Sequence, residues 1–345
     1  MRRIQRIFAL DLGSSVLRLC VDGEEQVTSV PSVAAVNSSG AVVARGARAH
    51  SMRGRAPAHV DIVHPIARGA VVHQQLATRL LYASLRDSGP RHALKDCYAA
   101  VCVPDEATPL QRRALAEVCH EAGLSRVRLI PKSLADLVGL GLPIHEPTGA
   151  LLVDVGVDRA SVSMMSMGHA TLTRTGECGG RSVNLALIRH LRTAHGLTVG
   201  DEAAEDAKIR LRALTSADEH ILVRGKDLTD RAPRSQLLPL DEVAVVTGAV
   251  CDEVARLVQS ALEDSPSELA HDVLDRGILL IGRGALLPGL AGRLREAIDI
   301  PVHQVGLDGT TGVLGAHRLA QGAAQHERER GHADEPSDYV PLALT

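Results

Sequence analysis

Asp11-Leu12-Gly13-Ser14-Ser15 and Asp154-Val155-Gly156-Val157-Asp158 are two short loops of one type, each following an apolar run. A carboxylate at a strand end, then a glycine, lets the chain reverse and brings backbone N–H groups near a ligand, an arrangement suited to phosphate. A third glycine turn, Gly282-Arg283-Gly284-Ala285, follows another apolar run. Val157, Asp158 and Arg283 stand where further glycines would close such a clamp tightly.

The first loop joins two strands between Ile7 and Cys20, because Val16-Leu17-Arg18-Leu19-Cys20 resumes the apolar pattern at once. A hairpin here excludes the P-loop and the dinucleotide fold, which place a helix after the glycine turn; neither GxxxxGK[ST] nor GxGxxG occurs there. Apolar spacing predicts a helix over 71–86, a strand Tyr98–Val103 stopped by Pro104, and a helix Leu110–Ala122 closed by Gly123. A strand Val127–Ile130 and a helix Ser133–Leu140 follow, and Gly139, Gly141 and Pro143 mark a boundary.

The second half restarts the pattern with a strand Ala150–Asp154, the glycine loop, and strands Ala160–Met165 and Thr171–Thr175. Helices are expected over Asn184–Ala194, Ala203–Leu214, Val243–Leu262 and Gly289–Ile298. Strands are expected over Ile221–Asp227, which leads into a polar, proline-containing stretch, and over Leu274–Ile281. Beyond Gln321 the chain is charged and poor in apolar residues, and a disordered tail is expected.

The chain has 345 residues, 45% of them hydrophobic, enough for two domains with ample cores. Aromatics make up 1% and tryptophan is absent, so stacking on bases is excluded as a main binding mode. With a net charge of -3 and interspersed signs there is no strong field for a phosphate backbone, and no nucleic-acid partner is expected. The six cysteines lack CxxC spacing and several lie within apolar runs, which reads as reduced core thiols. His190 and His195 lack the i, i+4 spacing of a helical metal pair, and no metal is assigned to them. No apolar segment is long enough to span a bilayer. Met1 to Phe8 runs directly into the first strand and offers no cleavable signal, so a location inside the cell is expected.

Two halves that each begin strand, Asp-x-Gly turn, strand indicate a duplicated fold with a nucleotide between its lobes. The chain resembles the MreB and Mbl family of bacterial actin homologues, within the superfamily of actin, hexokinase and the seventy-kilodalton heat-shock chaperones. The resemblance runs from Ile7 to about Leu319 and is carried first by Asp11-Leu12-Gly13, Pro31-Ser32-Val33, His64-Pro65-Ile66 with Gly69, and Val101-Cys102-Val103-Pro104. It continues through Gly139-Leu140-Gly141-Leu142-Pro143, Cys178-Gly179-Gly180, Ala204-Glu205-Asp206-Ala207-Lys208, Arg224-Gly225-Lys226-Asp227-Leu228, Pro266-Ser267-Glu268-Leu269-Ala270 and Asp275-Arg276-Gly277-Ile278.

The resemblance implies an α/β, actin-like ATPase fold: duplicated ribonuclease H-like domains flanking a nucleotide cleft. Residues 1–145 would form domain I, with a small part near 33–62, and 146–315 domain II, with a small part near 182–240. A return helix over 316–322 and the tail 323–345 complete the plan. Asp11, Gly13, Ser14, Ser15 and Val16 would form the first phosphate loop, and Gly156, Val157, Asp158 and Arg159 the second. Asp154, with Asp11 beside it, would hold Mg²⁺ through water. Glu205, Asp206 and Lys208 match the helix beside adenosine and ribose, and Gly282, Arg283, Gly284 and Ala285 the adenine-side turn. The implied role is to organise cell-wall synthesis and cell shape along the inner face of the plasma membrane. The implied partners are further copies or an MreB paralogue in filaments, and membrane-embedded wall-synthesis proteins. Membrane docking would rest on Ile4, Ile7 and Phe8 among three arginines, short for stable interfacial binding.

Departures from the family pattern bear on chemistry. Asp154-Val155-Gly156-Val157-Asp158-Arg159 stands where MreB has Asp-Ile-Gly-Gly-Gly-Thr, so a carboxylate lies where triphosphate would sit and needs Mg²⁺ or Arg159 to offset it. Pro131-Lys132-Ser133 stands where Glu-Glu-Pro would place the water-orienting acid. His73 replaces an expected Asp, and Arg181 an acid after Gly179-Gly180. Arg283 replaces a glycine that would let adenine lie on the backbone; its flat guanidinium could stack on the base instead. The first reading is a filament scaffold with a degraded ATP site and weak or absent hydrolysis. The alternative is an active ATPase filament in which Lys132, Arg159 and Arg283 neutralise the phosphates.

Overall fold

A computed structural model describes residues 6–22, 26–88, 97–211 and 220–330. The chain opens with strand β1 (Arg6–Leu12), paired antiparallel with β2 (Val16–Val21) and so forming the expected hairpin, and β2 pairs with β3 (Thr28–Pro31). Ile7 and Phe8 are core residues of β1, so the apolar character ascribed to membrane docking is spent on folding; Ile4 lies outside the described residues. A small sheet follows from β4 (Ala34–Asn37), β5 (Val42–Arg45) and, after the short helix α1 (Gly46–Ser51), β6 (Val60–Val63). Hairpin β7 (Ile66–Ala67) and β8 (Ala70–Val71) leads to helix α2 (Gln74–Asp87).

Strand β9 (Cys97–Val103) is buried at all seven positions because it runs parallel between β1 and β10 (Arg126–Pro131), covered on both faces. Between them, helix α3 (Pro109–Glu121) starts at a capping box in which Thr108 and Gln111 exchange side-chain and backbone hydrogen bonds, with Pro109 at the first position. Helix α4 (Lys132–Gly139) closes this lobe.

The second lobe repeats the plan. β11 (Ala150–Val155) pairs antiparallel with β12 (Ala160–Ser166), and β12 with β13 (His169–Gly176). Helix α5 (Gly180–His195) ends at Gly196 in the left-handed conformation. A second small sheet is built from β14 (Leu197–Thr198), β15 (His220–Asp227) and β16 (Pro233–Pro239), with helix α6 (Asp201–Leu211) beside it. Then come α7 (Leu240–Glu263), α8 (Ser267–Arg276), β17 (Ile278–Ile281), α9 (Leu290–Ile298), β18 (Val302–Gln304) and α10 (Thr311–Arg330).

The two large sheets have the same connectivity: β3-β2-β1-β9-β10 in one and β13-β12-β11-β17-β18 in the other, each a three-stranded antiparallel meander followed by two parallel strands. Each carries its own core, and a third cluster joins Ala9 and Ala100 of one sheet to Leu152 and Ile281 of the other through α4 and α10. Helices α4 and α10 touch through backbone, since a Cβ on Gly315 would stand 1.7 Å from the Ala135 carbonyl oxygen and one on Gly139 2.0 Å from that of Thr311.

Some expectations need correction. Leu274–Arg276 belong to helix α8, because Leu269 and Val273 follow helical spacing and Gly277, at φ +79°, separates them from a strand that begins at Ile278. The proline-containing stretch holds β16, with Pro233 and Pro239 at its ends where no ladder donor is lost. The start of the expected tail is helical to Arg330: Ala316, Ala320 and Ala324 recur at the helical interval and are buried. The return helix is thus longer than 316–322 at both ends. Residues 331–345, and 212–214 of the expected second-lobe helix, lie outside the described residues.

Candidate functional site

The two Asp-x-Gly loops face each other across a cleft of about 450 Å³ between the lobes. They make the same turn. The Gly13 N–H donates to the Val16 carbonyl at 3.2 Å, and the Gly156 N–H to the Arg159 carbonyl at 2.9 Å. Around them, Asp11, Ser14, Ser15, Val16, Asp154, Val157, Asp158, Glu205, Lys208, Gly282, Arg283 and Gly284 line the same cleft. Two expected residues do not: Asp206 is exposed on α6 away from it, and Ala285 is fully buried in the second core. Helical spacing accounts for the first. For the second, the turn packs onto β11, where a Cβ on Gly282 would meet Asp154 Oδ1 at 2.4 Å and one on Gly284 Val155 Cγ1 at 2.4 Å.

Both carboxylates expected to hold Mg²⁺ already face cations of the chain. Arg18 is the cross-strand neighbour of Asp11, with Nη1 3.6 Å from Asp11 Oδ2. Lys132, at the start of α4, places Nζ 2.8 Å from Asp136 Oδ2 and 3.2 Å from Asp154 Oδ2. Asp136 is wholly buried one turn along α4 and accepts from the Thr311 hydroxyl at 2.7 Å. Burial pushes its carboxyl up to about 6, with Lys132 pulling the other way. Burial alone would lower the Lys132 pKa; Asp136, Asp154 and Asp11 outweigh it and hold the ammonium well above the usual lysine value. Asp136 and Arg18 had no motif to reveal them; the lysine at the position of the missing acid was the visible half of the pair.

The Asp158 carboxylate, expected to be offset by Mg²⁺ or Arg159, is held by other groups. Arg181 Nε donates to its Oδ1 at 2.7 Å, and the Arg68 backbone N–H donates to its Oδ2 at 2.8 Å from across the cleft. Burial raises its pKa, but the donors Arg68, Arg181 and Ser14 prevail and keep it below the ordinary carboxylate value. Arg68 reaches this position at φ 51° in the two-residue turn between β7 and β8, a left-handed conformation uncommon for arginine. Arg159 pairs instead with Glu106 of the first lobe.

On α6, Lys208 is buried, with Nζ donating to the Gly180 carbonyl at 3.0 Å and to Glu205 Oε2 at 2.6 Å, and Asn184 donates to the same Glu205 oxygen at 2.7 Å. The N–H groups of Gly180 and Arg181 that open α5 bond to the Gly156 and Val157 carbonyls, so the helix start is tied to the second loop. At the mouth, Arg53 bridges to Asp201 and, at 2.8 Å, to Glu202 Oε1 of α6. The His64 Nδ1–H donates to the Ser32 carbonyl at 3.1 Å, and burial with nearby Arg181 and Arg53 holds its pKa down. His73, standing where an Asp was expected, is the N-cap of α2 without a side-chain cap bond and does not line the cleft.

A duplicated mixed sheet with paired Asp-x-Gly hairpins at one cleft is the architecture of the actin superfamily. The family model described as MreB/Mbl protein matches residues 5–328. The chain belongs to the MreB/Mbl family. The cell shape-determining protein MreB of Escherichia coli strain K12 is 31% identical over 302 residues, covering 85% of this chain and 87% of that one. In fold, the chain is similar to MreB 5 of Spiroplasma citri bound to AMPPNP, at a TM-score of 0.89 with 23% identity, covering 96% of this chain and all of that one. The MamK double helical filament gives a TM-score of 0.75 at 18% identity, over 92% and 98% of the two chains. Asp158 in the second glycine loop and Arg181 at the start of α5 form one ion pair at the cleft. Among the described residues no helix is long and apolar enough to cross a membrane.

Proposed function

We propose that this MreB/Mbl-family chain is a filament-forming cytoskeletal protein of cell-shape control. Its cleft is held by the chain's own ion pairs, so that it binds nucleotide weakly and hydrolyses it slowly or not at all. Support for the cytoskeletal role comes from the curated relatives, named as cell shape-determining proteins, and from a fold shared with a protein that forms a double helical filament.

The observation that carries the reading of the cleft is Lys132. Its ammonium, bonded to Asp136 and 3.2 Å from Asp154, stands against the carboxylate that a hydrated Mg²⁺ would need. Asp11 is likewise paired with Arg18. The residues present therefore do not suit the divalent ion that the fold family implies. A protonated lysine is no base for an attacking water, and loss of that function alone costs on the order of a hundredfold or more in rate. The cations invoked for an active clamp are also engaged, Lys132 with Asp136 and Arg159 with Glu106.

The test is a titration of the purified chain with a fluorescent ATP analogue and Mg²⁺, run beside a sedimentation assay for polymer and a phosphate-release assay. Polymer without nucleotide, with phosphate release at background, is the expected result. Micromolar nucleotide binding with steady phosphate release would overturn the reading. Association with the inner membrane face and with wall-synthesis proteins belongs to the same proposal, and fractionation of cells expressing a labelled chain tests it.

A further inference from the structure

A second group of chemistry-bearing side chains lies outside the cleft. His190 and His195, both on the last two turns of α5, aim their Nε2 atoms at one oxygen of Glu242, in the first turn of α7. The His190 Nε2 is 2.5 Å from Glu242 Oε1, and the His195 Nε2 meets the same atom. The two ring centroids are 5.7 Å apart with planes at 71°. The cluster is partly sheltered, His195 being 19% and His190 25% exposed.

The i, i+5 spacing of the histidines hid this convergence. His195 is the last residue of α5, and Gly196 beyond it turns left-handed, while the third side chain comes from 47 residues further on. Without a cation, both imidazoles must spend an Nε2 proton on the same carboxylate oxygen. One divalent ion would replace both protons and accept all three donor atoms.

Two imidazole nitrogens and a carboxylate oxygen form the donor set of His₂Glu zinc sites and suit borderline ions rather than Mg²⁺ or Ca²⁺. With ligands about 2.0–2.1 Å from the ion, donor atoms in a tetrahedral site stand roughly 3.3 Å apart, so the His190 nitrogen need move less than about 1 Å from the Glu242 oxygen, and the three donor atoms all lie within 4.8 Å of one another. Nearby, Arg234 donates to the His195 carbonyl at 3.1 Å, and its charge is balanced by Asp227 at 2.7 Å.

The location gives the cluster a task. After His195 the chain passes through Gly196 into β14 of the small sheet, and it leaves β16 at Pro239, three residues before Glu242. The histidines and the glutamate therefore flank the two crossings by which the small sheet, and α6 with it, joins the second lobe. We propose that His190, His195 and Glu242 form a site for a divalent transition metal of the zinc class, which staples the small sheet and α6 to the α5–α7 pair.

The full-length chain, freed of any histidine tag and dialysed against chelator, is titrated with Zn²⁺ against a chromophoric competitor. Its metal content is measured by mass spectrometry, and hydrogen exchange is followed with and without the ion. The expected result is one Zn²⁺ per chain and slower exchange in β14 and α6, with affinity reduced about tenfold or more in Glu242→Gln and His195→Ala. A Co²⁺-loaded sample should show visible bands without sulfur charge transfer, separating this site from the buried cysteines. Glu242→Gln keeps a hydrogen-bond acceptor, and His190→Gln serves in its place should His195→Ala not fold. Failure to retain an equivalent of Zn²⁺, or equal retention by the variants, overturns the site and leaves a hydrogen-bonded cluster. Binding with unchanged exchange overturns the staple.

Discussion

Arg181 Nε donates to Asp158 Oδ1 at 2.7 Å, pairing a carboxylate in the second glycine loop with a guanidinium at the start of helix α5. The Asp158 side chain is largely buried and Arg181 is its side-chain cation. A double-mutant cycle of Asp158→Asn and Arg181→Gln should give a coupling of about 1 kcal/mol in urea unfolding, the range for a partly exposed charged hydrogen bond. Additive losses would show that the two substitutions are unrelated.

Lys132 neutralises a carboxylate that is wholly buried, and Lys132→Ala strands Asp136 in the core. The expected loss is about 3 kcal/mol in chemical denaturation, since an uncompensated buried charge is the main cost. Asp136→Asn in the same chain should restore much of it, because the amide can still accept from Thr311. If the single variant is as stable as the parent, the pair does not hold the cleft.

His64 and Asp136 give opposite pH responses. The His64 pKa lies below its ordinary 6.5, so its contribution is complete above that value and is lost as pH falls through the lower, folded value. Asp136 sits at about 6, above its ordinary 3.8, so the fold gains stability as pH falls from about 6 toward 3.8. Stability measured from pH 7.5 to 4.5 should therefore rise less on acidification in Asp136→Asn than in the parent, and fall less in His64→Gln. Parallel curves for all three chains would exclude both assignments.

Much of this fold was legible because its punctuation is local. Gly13 with Val16-Leu17 announced a hairpin, Pro104 and Gly123 ended a strand and a helix, and the second Asp-x-Gly loop announced the repeat. What stayed hidden depended on partners distant in sequence. Nothing near Lys132 pointed to Thr311, 175 residues beyond Asp136, as the second support of that buried acid. Nothing near Asp158 pointed to an amide in the turn at Arg68. Leu274 looked like part of the strand because it lies close to the apolar run that begins at Ile278, although Asp275, Arg276 and Gly277 stand between them.

The seam between α4 and α10 offers a test of lobe coupling. Gly315→Ala would place a methyl group 1.7 Å from the Ala135 carbonyl oxygen, which forces the helices apart. The loss should be about 3 kcal/mol, at the upper end for overpacking, and read as a lowered Tm. A neutral result would mean that the two helices can separate freely.

The contacts that hold the cleft together, Arg53 with Asp201 and Glu202, Arg159 with Glu106 and Lys132 with Asp154, are electrostatic and partly open to water. Screening reaches such pairs, and the Debye length shrinks from about 10 Å at 0.1 M salt to about 3 Å at 1 M. Pairs at contact distance and partly sheltered lose the least to that screening, so the two sides of the cleft should loosen only gradually as salt rises.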